Sequence, residues 1–462
     1  MPHQLDAIDR LVLEKRKIIA MEMGCGKTAV GINYIESCPD ITAALIIVQS
    51  NKMSDWLRDY KACFPDTSIE IWKPDKLQMP DDVRHMVKKP KVDADKPKKP
   101  SKKKPPKPIP KVWITSYTML TRSKYAYQVL ERQYDVVVLD EAHSLKGADA
   151  KCVQKIVPVI ATIPRVALLT GTPMMNRPSE LYNLLYMIDP VEFHSRRKFT
   201  KQYCDGKFNS WGAWEEKGAK NIEELNTVLN KYMIRALKSE VMPDLPPKTR
   251  SIQKFTGSTP ELLECKDKWL DLIKKLSDAT GLKKKQLSRQ VETLTSEYWR
   301  LTGRVKIPII VPWIIKECTE EHPTAKFMIW CWHICNAELL YTELTNAGIA
   351  SILVTGQNTD ALTRSDAFNP IRDPESPIRV CICTIQAGGT GYTIVPGPSR
   401  VIFAELYYVP FLLEQTEDRV HRKGTIHPIH VTYCALSGSY DDPLLAKIDY
   451  KKKLFDKIVG LT

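Results

Sequence analysis

The sequence predicts an α/β protein in which two doubly wound parallel sheets flank a mainly helical segment. Three observations support this fold class. Short apolar runs alternate with helix-length stretches up to about residue 190, and the same alternation returns after residue 303. Between Asp189 and Thr302 the strand pattern is absent, and segments rich in Leu, Lys and Glu replace it. Buried parallel strands are typically continuous apolar runs, and each needs a crossover helix to reach the next strand.

The apolar runs give the predicted strands in order. In the first domain they are Lys17–Ala20, Ala43–Val48, Val112–Ser116, Val136–Leu139 and Val166–Thr170. In the second domain they are Phe327–Trp332, Ala350–Val354, Val380–Cys383, Arg400–Ala404 and His430–Ala435. Two of the helices predicted between the domains are Ile222–Leu237 and Glu261–Leu276. We therefore expect a first α/β domain at 1–190, helical insertions with a linker at 191–302, and a second α/β domain at 303–462.

The net charge of +14 is concentrated in one segment of the chain. Between Lys88 and Lys111, eleven Lys stand against two Asp, so this run alone carries +9. Its seven prolines exclude a helix or a central strand, and we expect a disordered, solvated loop at about 88–111 that interrupts the first domain. Attraction to a phosphate backbone, nuclear targeting and a plain surface insertion all stay open as its role.

The distribution of cysteines and of apolar segments indicates the cellular compartment of the protein. The twelve cysteines are scattered, and many lie in apolar runs, which indicates free thiols in a reducing environment. The pairs Cys331/Cys335 and Cys381/Cys383 have no second pair at zinc-site spacing, so we predict no thiolate metal site. The chain shows neither a signal-peptide pattern nor an apolar stretch of 18 residues. We therefore predict an intracellular protein with no membrane partner.

A candidate phosphate loop follows the first predicted strand. Gly24-Cys25-Gly26-Lys27-Thr28 lies between that strand and a helical pattern, which is the context that a phosphate loop requires. Gly24 and Gly26 let backbone N–H groups approach phosphates, Lys27 can reach the β- and γ-phosphates, and Thr28 can bind Mg²⁺. The first Gly of the full eight-residue pattern is absent, since Met21 occupies its position.

A pair of carboxylates ends the fourth predicted strand, about 110 residues after Lys27. The segment Tyr134–His143 places Asp140 and Glu141 directly after the apolar run. In this position Asp140 can hold Mg²⁺, and Glu141 can orient and deprotonate an attacking water. The two motifs occur in the order that phosphoryl-transfer sites require, and together they predict ATP hydrolysis with ATP and Mg²⁺ as cofactors.

Two further motifs complete the predicted catalytic set. Arg419 and Arg422 are three residues apart, which predicts that both lie on one helix face. Such arginines can act on a γ-phosphate as arginine fingers when two domains close. The turn Thr170-Gly171-Thr172-Pro173 follows a strand and can relay the state of the nucleotide.

Taken together, these motifs resemble the superfamily 2 helicase-like ATPases of the SNF2 type, and most closely the annealing-helicase (HARP-like) branch. The segments that resemble the family motifs are Pro2–Gln4, Met23–Thr28, Val48–Trp56, Thr115–Tyr117, Asp140–His143, Leu169–Pro173, Lys326–His333, Val380–Thr393 and Gln415–Gly424. The branch is indicated by Phe403–Leu406, Tyr203–Asp205, Trp211–Gly212, Asn221–Leu225, Ile234–Lys238 and Leu245–Lys248. Ala236 stands where the family has Arg, and Thr425 where it has Gln.

The resemblance implies two RecA-like lobes of the P-loop NTPase type, with SNF2-type helical insertions. It also implies that Gln4 reads the adenine, that Gly391 helps to bind the nucleotide, and that His143, Thr170 and Gln415 couple hydrolysis to movement. The backbone of double-stranded or forked DNA would be contacted by Ser50, Asn51, Ser116, Thr384 and Gly389, although each could instead serve ordinary turn chemistry. We expect a monomer that acts wherever DNA is, in a nucleus or in a prokaryotic or viral setting.

The sequence thus predicts a DNA-dependent ATPase that translocates on double-stranded DNA and remodels or anneals it at bubbles and forks. A DEAH-like RNA helicase is a second hypothesis, because Asp140–His143 fits that motif. A degenerate motor that serves as a nucleic-acid-binding module is a third. It is disfavoured because Lys27 and Glu141 are both retained.

Overall fold

The structure is a computed structural model that describes residues 1–38, 40–73, 111–124, 126–147, 150–209, 212–357, 364–389 and 392–460. The predicted Lys/Pro loop lies outside the described residues except for Lys111, and so do Trp211 and Gly391. The chain divides into two compact units. The first unit contains 1–19, 27–170 and 183–192, and the second contains 20–26, 171–182 and 193–462. The predicted three-part division at 190 and 302 remains a prediction.

The strands follow one another in this order. They are β1 (Arg16–Met21), β2 (Ala44–Val48), β3 (Ile69–Ile71), β4 (Val112–Ser116), β5 (Val136–Leu139), β6 (Arg165–Leu169), β7 (Lys207–Phe208), β8 (Trp214–Glu215), β9 (Met233–Ala236), β10 (Lys248–Phe255), β11 (Phe327–Cys331), β12 (Ser351–Val354), β13 (Val380–Thr384), β14 (Arg400–Phe403) and β15 (Ile429–Leu436). Each of the ten strands predicted from apolar runs is present within one or two residues of its expected bounds.

The helices connect these strands. They are α1 (Pro2–Glu14), α2 (Lys27–Ser37), α3 (Met53–Cys63), α4 (Tyr117–Arg122), α5 (Tyr127–Leu130), α6 (Lys151–Thr162), α7 (Leu181–Ile188), α8 (Arg196–Tyr203), α9 (Ile222–Tyr232), α10 (Lys238–Val241), α11 (Pro260–Asp278), α12 (Gly281–Lys316), α13 (Ile334–Asn346), α14 (Arg364–Ala367), α15 (Asn369–Arg372), α16 (Ile385–Gly388), α17 (Pro410–Glu417) and α18 (Asp441–Val459). The helix predicted over Glu261–Leu276 is confirmed as α11.

The first unit is built on a parallel sheet with the strand order β3-β4-β2-β5-β6-β1. All the side chains of β2 and β5 are buried, which is expected for central strands that are covered on both faces. Because the strands are parallel, β1, β5 and β6 all end at the same edge of the sheet. Ligands of open α/β sheets bind outside the carboxyl ends of the strands. The phosphate loop, the acidic pair and Thr170 all follow strands that end there.

The second unit contains a parallel sheet of its own, with the order β10-β15-β14-β11-β13-β12. Strand β11 shows how this sheet is packed. Met328 and Trp330 enter one apolar cluster, whereas Phe327, Ile329 and Cys331 enter another. Alternate side chains point to opposite faces of a strand, so helices cover this sheet on both faces. The two sheets confirm the predicted α/β class.

The expectation that 189–302 contains no strands is wrong. Strands β7 to β10 lie there, and the helix predicted over Ile222–Leu237 ends at Tyr232, where β9 begins. Strand β10 escaped the apolar pattern because it lies at the edge of its sheet, where most of its side chains are partly or fully exposed. It is nevertheless paired over eight residues with β15.

All twelve cysteines are free thiols, as predicted. Within the described residues, no helix combines the length and the apolar character that a bilayer crossing needs.

Candidate active site

The phosphate loop joins β1 to α2. Gly24 and Gly26 have φ angles of +90° and +84°, a backbone region that glycine adopts with little strain. Helix α2 begins at Lys27, so the N–H groups of its first turn and its dipole favour an anion at this end. The strand–loop–helix context predicted for this motif is therefore present. Thr28 occupies the second helical position, and the boundary between the two units falls between Gly26 and Lys27.

Helix α2 packs closely on the sheet of the first unit at Gly31. A Cβ atom at this position would come within 3.0 Å of the side chains of Leu169, Trp56 and Val138. Those side chains belong to β6, α3 and β5. The absence of a side chain at Gly31 thus lets α2 lie close to the strands that carry the acidic pair and Thr170.

Asp140 immediately follows β5, and three groups hold it in place. The indole Nε1 of Trp56 donates to Oδ2 at 2.9 Å, and the backbone N–H of Glu141 donates to Oδ1 at 3.0 Å. The hydroxyl of Tyr117 donates to the Asp140 carbonyl oxygen at 2.8 Å. Burial raises the pKa of Asp140 to about 6, and the neighbouring Glu141 carboxylate adds to that rise, while Trp56 and Lys27 oppose it. The site therefore favours a cation beside this carboxylate.

Glu141 is held in a conformation that few non-glycine residues adopt. Its φ and ψ are 49° and 50°, in the left-handed region. Such strained residues persist only where the surrounding structure holds them, and they are common at functional sites. Its Oε2 atom is buried and makes no hydrogen bond. The ring nitrogen Nδ1 of His143 lies 3.3 Å from Oε2, but without hydrogen-bond geometry. A buried carboxylate oxygen without a hydrogen bond is costly, so this atom is suited to a water or ligand proton.

These residues fit a bound Mg²⁺. The hydroxyl of Thr28 and the carboxylate of Asp140 are oxygen donors, which Mg²⁺ prefers. Within the described ranges, no group of three or more His, Cys, Asp and Glu side chains is arranged to hold a metal. A site with one or two protein ligands, completed by phosphates and waters, is the usual form for Mg²⁺ in nucleotide-binding proteins.

His143 connects the acidic pair to the end of β6. Its Nδ1 lies 3.1 Å from the hydroxyl of Thr170, and both side chains are buried. The backbone N–H of Thr170 donates to the carbonyl of Ile19 in β1, at 3.0 Å. The structure therefore brings His143 and Thr170 together, as their predicted role in coupling requires. Gln415, the third residue of that set, is buried on α17 in the second unit.

The predicted helical position of the two arginines is wrong. Helix α17 ends at Glu417, and Arg419 and Arg422 lie in the turn that follows. The N–H groups of Arg419 and Val420 bond to carbonyls three residues back, and the hydroxyl of Thr425 accepts from the N–H of Arg422 at 3.0 Å. These bonds tighten the chain into a turn at the end of the helix.

The two arginines have different surroundings within the second unit. Arg419 is buried, and its guanidinium donates to the carbonyls of Gly389 and Tyr392 at 3.0 and 3.1 Å. Arg422 donates to the hydroxyl of Thr393 at 2.8 Å. A Cβ atom placed on Gly24 would lie 3.6 Å from the Cβ of Arg422, so the glycine of the phosphate loop and this arginine are neighbours.

The residues predicted to contact DNA lie in defined turns and at the ends of helices and strands. The hydroxyl of Ser50 donates to that of Ser116 at 3.1 Å, and Ser116 also caps α4. Asn51 lies in a short 3-10 helix directly before α3. Thr384 ends β13 and is buried, and Gly389 supplies the carbonyl that binds Arg419. Their contact with DNA stays a prediction.

Gln4 lies on α1, and its side-chain oxygen accepts a hydrogen bond from the amino group of Met1 at 3.0 Å. Its predicted contact with adenine stays a prediction. Trp56 and Tyr117, which fix Asp140, were not among the residues predicted for this site. Both lie in segments that resemble family motifs, but no local pattern shows that Trp56 reaches the carboxylate of Asp140 and Tyr117 its backbone carbonyl, each more than twenty residues away.

Comparisons with known proteins agree with these motifs. A family model described as the SNF2-related domain matches residues 3–286. The SWI/SNF-related matrix-associated actin-dependent regulator of chromatin subfamily A-like protein 1 of Drosophila melanogaster is 28% identical, over 99% of this chain and 56% of its own length. The human DNA annealing helicase and endonuclease ZRANB3 is 28% identical, over 98% of this chain and 40% of its own.

Among solved structures, the Sulfolobus solfataricus SWI2/SNF2 ATPase core in complex with dsDNA aligns with 17% identity and a TM-score of 0.43, over 99% of this chain and 92% of its own. The chain spans about half the length of the curated relatives it matches.

Proposed function

The chain belongs to the SNF2-related domain family, and on that premise we propose that it hydrolyses ATP to move along double-stranded DNA. One observation carries the proposal: the buried Oε2 of Glu141 has no hydrogen bond, beside a carboxylate that Trp56 and a backbone N–H hold in place. A carboxylate that lacks a proton partner in a preorganised site is suited to accept a proton from an attacking water.

The residues of the first unit have distinct roles in this proposal. Lys27, at the start of α2, neutralises the charge of the β- and γ-phosphates. Because Gly24 and Gly26 have no side chains, their backbone N–H groups can approach the same phosphates and donate hydrogen bonds to them. Thr28 and Asp140 would hold Mg²⁺, which would neutralise charge on the phosphates when bound. Glu141 orients the water and takes its proton.

Arg422 and Arg419 serve this site in different ways. Arg422 is the arginine finger, since its Cβ lies near Gly24 of the phosphate loop. Its charge stabilises the negative charge that develops as the γ-phosphate leaves. Arg419 is buried against two carbonyls and orients the turn that carries Arg422. His143 and Thr170 transmit the state of the nucleotide from Glu141 to the end of β6. Gln415 contributes to the same coupling from the second unit.

The substrate that we propose is duplex DNA with a bubble or a fork, whose complementary strands the protein rewinds. The similarity to the human DNA annealing helicase and endonuclease supports the annealing part for this chain. A motor that follows the phosphate backbone needs no base-specific side chains and is sensitive to salt. We propose that the chain acts as a monomer in whichever compartment contains DNA.

The test compares ATP turnover of the full chain without nucleic acid and with forked DNA, plain duplex and RNA. We expect the DNAs, and forked DNA most, to stimulate turnover. Lys27→Ala and Glu141→Gln should each abolish turnover and leave DNA binding intact, whereas the exposed controls Lys61→Ala and Glu70→Gln should change neither. Undiminished turnover in both site variants would overturn the assignment.

A second assay addresses annealing. A bubbled duplex is incubated with the protein, and rewinding is followed with and without ATP. ATP-dependent rewinding that the Glu141→Gln variant lacks supports the proposed substrate. Stronger stimulation of turnover by RNA than by any DNA would instead favour the RNA helicase hypothesis. DNA binding without any turnover would favour a binding module.

A further inference from the structure

Two adjacent carboxylates at the end of α17 are buried inside the second unit. The Glu417 side chain is fully buried, and 13% of the Asp418 side chain is exposed. Directly after them come Arg419 and, three residues later, Arg422. Burying carboxylates is costly unless cations and hydrogen-bond donors surround them. The groups that hold these two carboxylates therefore stabilise the end of the helix that leads into the arginine turn.

Glu417 is bound mainly by β10 of the second unit. Arg250 makes a two-pronged contact, with Nε 3.0 Å from Oε1 and Nη2 2.7 Å from Oε2. Lys248 places its Nζ 2.8 Å from Oε2 of the same carboxylate, and the hydroxyl of Tyr433 also donates to it. The planar contact between Arg250 and Glu417 fixes both the distance and the relative orientation of the two groups.

Asp418 is bound by two lysines. The Nζ atoms of Lys238 and Lys248 lie 2.7 and 3.0 Å from its Oδ1. Burial opposes the ionisation of Asp418, but Lys248 and Lys238 outweigh this effect, and the pKa of the carboxyl is lowered. Asp418 is therefore charged at neutral pH and remains bound to both lysines.

Lys238 makes two further contacts, one with the arginine turn and one with the segment that precedes the phosphate loop. Its Nζ donates to the carbonyl of His421, the residue before Arg422, at 2.9 Å. Its backbone N–H donates to Oε2 of Glu22 at 2.7 Å, and the N–H of Glu22 donates to the carbonyl of Ala236 in β9 at 3.1 Å. Glu22 stands two residues before Gly24. One residue thus binds both the segment that leads into the phosphate loop and the turn that carries Arg422.

Arg250 provides a natural comparison with Lys238. Both residues form an ion pair with a carboxylate at the end of α17, but only Lys238 also contacts Glu22 and His421. Buried ion pairs contribute little net stability compared with apolar packing, because desolvation offsets their attraction. Lys238, unlike Arg250, therefore links the arginine turn to the segment before the phosphate loop.

We propose that Lys238 is a positioning residue that sets Arg422 relative to the phosphate loop, by binding Glu22 on one side and Asp418 with His421 on the other, with Lys248 in support. The inference rests on the proposed ATP hydrolysis and assigns a role to the segments Ile234–Lys238 and Leu245–Lys248, which had none. Lys238 acts through Arg422 and does not itself contact the phosphates. Its loss should slow the chemical step more than it weakens ATP binding, because an arginine finger acts mainly in the transition state.

The test measures kcat, KM for ATP, DNA affinity and melting temperature for Lys238→Met, Asp418→Asn and the double variant, all in the full chain. We expect each single variant to lower kcat about tenfold or more while KM changes by less than about threefold. Because both side chains act through one contact, the double variant should be about as slow as the slower single variant. DNA affinity should remain at the wild-type level.

Two control variants separate positioning from general stability. Arg250→Met removes the two-pronged pair with Glu417 and should lower the melting temperature, but kcat should fall by less than about threefold. Lys268→Met, on the exposed face of α11, should change neither quantity. If Lys238→Met melts too low to assay, Asp418→Asn alone must give the loss of kcat with an unchanged KM.

Three results would overturn the inference: a kcat of Lys238→Met within about twofold of the wild type, an equal loss in Arg250→Met, or a double variant whose losses simply multiply. These outcomes differ from a failure of the proposed function. If the proposed function fails, the wild-type chain either does not hydrolyse ATP or hydrolyses it as fast as Lys27→Ala does. Normal turnover that depends on Lys27 but is indifferent to Lys238 refutes this inference alone.

Discussion

The indole nitrogen of Trp56, on α3, donates a 2.9 Å hydrogen bond to the Asp140 carboxylate, 84 residues further along the chain. The Trp56 ring is almost fully buried and lies beside Gly31 of α2. One aromatic side chain therefore packs against the helix that follows the phosphate loop and also orients the proposed metal ligand. Mutating a residue that hydrogen-bonds to a metal ligand commonly lowers the affinity for the metal.

Trp56→Phe should weaken the use of Mg²⁺ because the variant keeps an aromatic ring but loses the N–H that binds Asp140. We expect the Mg²⁺ concentration for half-maximal turnover to rise about tenfold, with much of the activity restored at saturating Mg²⁺. Titrating Mg²⁺ at fixed ATP measures this shift. Trp113→Phe is the matched control, since the Trp113 ring contacts Arg132 and lies on β4. An unchanged Mg²⁺ requirement in Trp56→Phe would show that the indole is not needed.

Gly31→Ala should destabilise the protein although alanine favours helices. The gain in helix propensity is about 1 kcal/mol, whereas overpacking a tight interior costs about 1–3 kcal/mol. Three side-chain atoms would lie 3.0 Å from the new methyl group, so we expect a net loss of up to about 2 kcal/mol. The melting temperature should fall. Gly356→Ala, where nothing lies within 4 Å of the new atom, should not lower it. Equal melting temperatures for the two variants would contradict the close packing of α2.

Thr170→Val should uncouple hydrolysis from DNA. The substitution keeps the shape of the side chain but removes the hydroxyl that lies 3.1 Å from Nδ1 of His143. We expect the DNA-stimulated rate to fall several-fold more than the rate without DNA, because the link from Glu141 to the end of β6 is broken. ATPase rates measured against duplex concentration test this. Thr162→Val, at the exposed end of α6, is the control. A proportional loss of both rates would argue for a direct role in catalysis instead.

Glu405→Gln should destabilise the second unit in a manner that depends on pH. The buried carboxylate accepts from the N–H groups of Trp332 and His333, from Nδ1 of His333 and from the side chain of Asn336, at 2.7–3.0 Å. Burial opposes ionisation, but His333 and these donors outweigh it and lower the pKa of Glu405 below its ordinary value of 4.5. We expect a loss of about 2 kcal/mol at neutral pH.

The sign of the pH dependence follows from the lowered pKa. The carboxylate stabilises the folded chain above its unfolded pKa, and this contribution disappears as the pH falls through the lower folded value. The gap in melting temperature between the wild type and Glu405→Gln should therefore be largest near pH 7 and shrink below about pH 4.5. Melting curves from pH 7 to pH 4 measure the gap. A gap that stays constant over this range would mean that ionisation of Glu405 contributes nothing.

Local patterns predicted the elements whose sequence carries their physical cause. Buried parallel strands such as β5 are apolar on both faces, so their positions could be read directly from the sequence. The glycines and Lys27 of the phosphate loop follow the same logic, because their chemistry requires neighbours in the chain. Strand β10 could not be predicted in this way. Its exposed side chains resemble those of a loop, and only the pairing with β15 makes it a strand.

The sequence by itself therefore determined the α/β class, the two parallel sheets, the phosphate loop and the acidic pair. Only the tertiary structure decided that Trp56 orients Asp140, that Arg419 and Arg422 lie in a turn, and that Lys238 binds Glu22 together with Asp418. The physical reason is that the contacts of Trp56 and Lys238 join residues 84 to more than 200 positions apart, and the arginine turn is held by the carbonyl of Gly389, 30 residues before Arg419. The strength of such contacts depends on how deeply the folded chain buries them, which no short stretch of sequence determines.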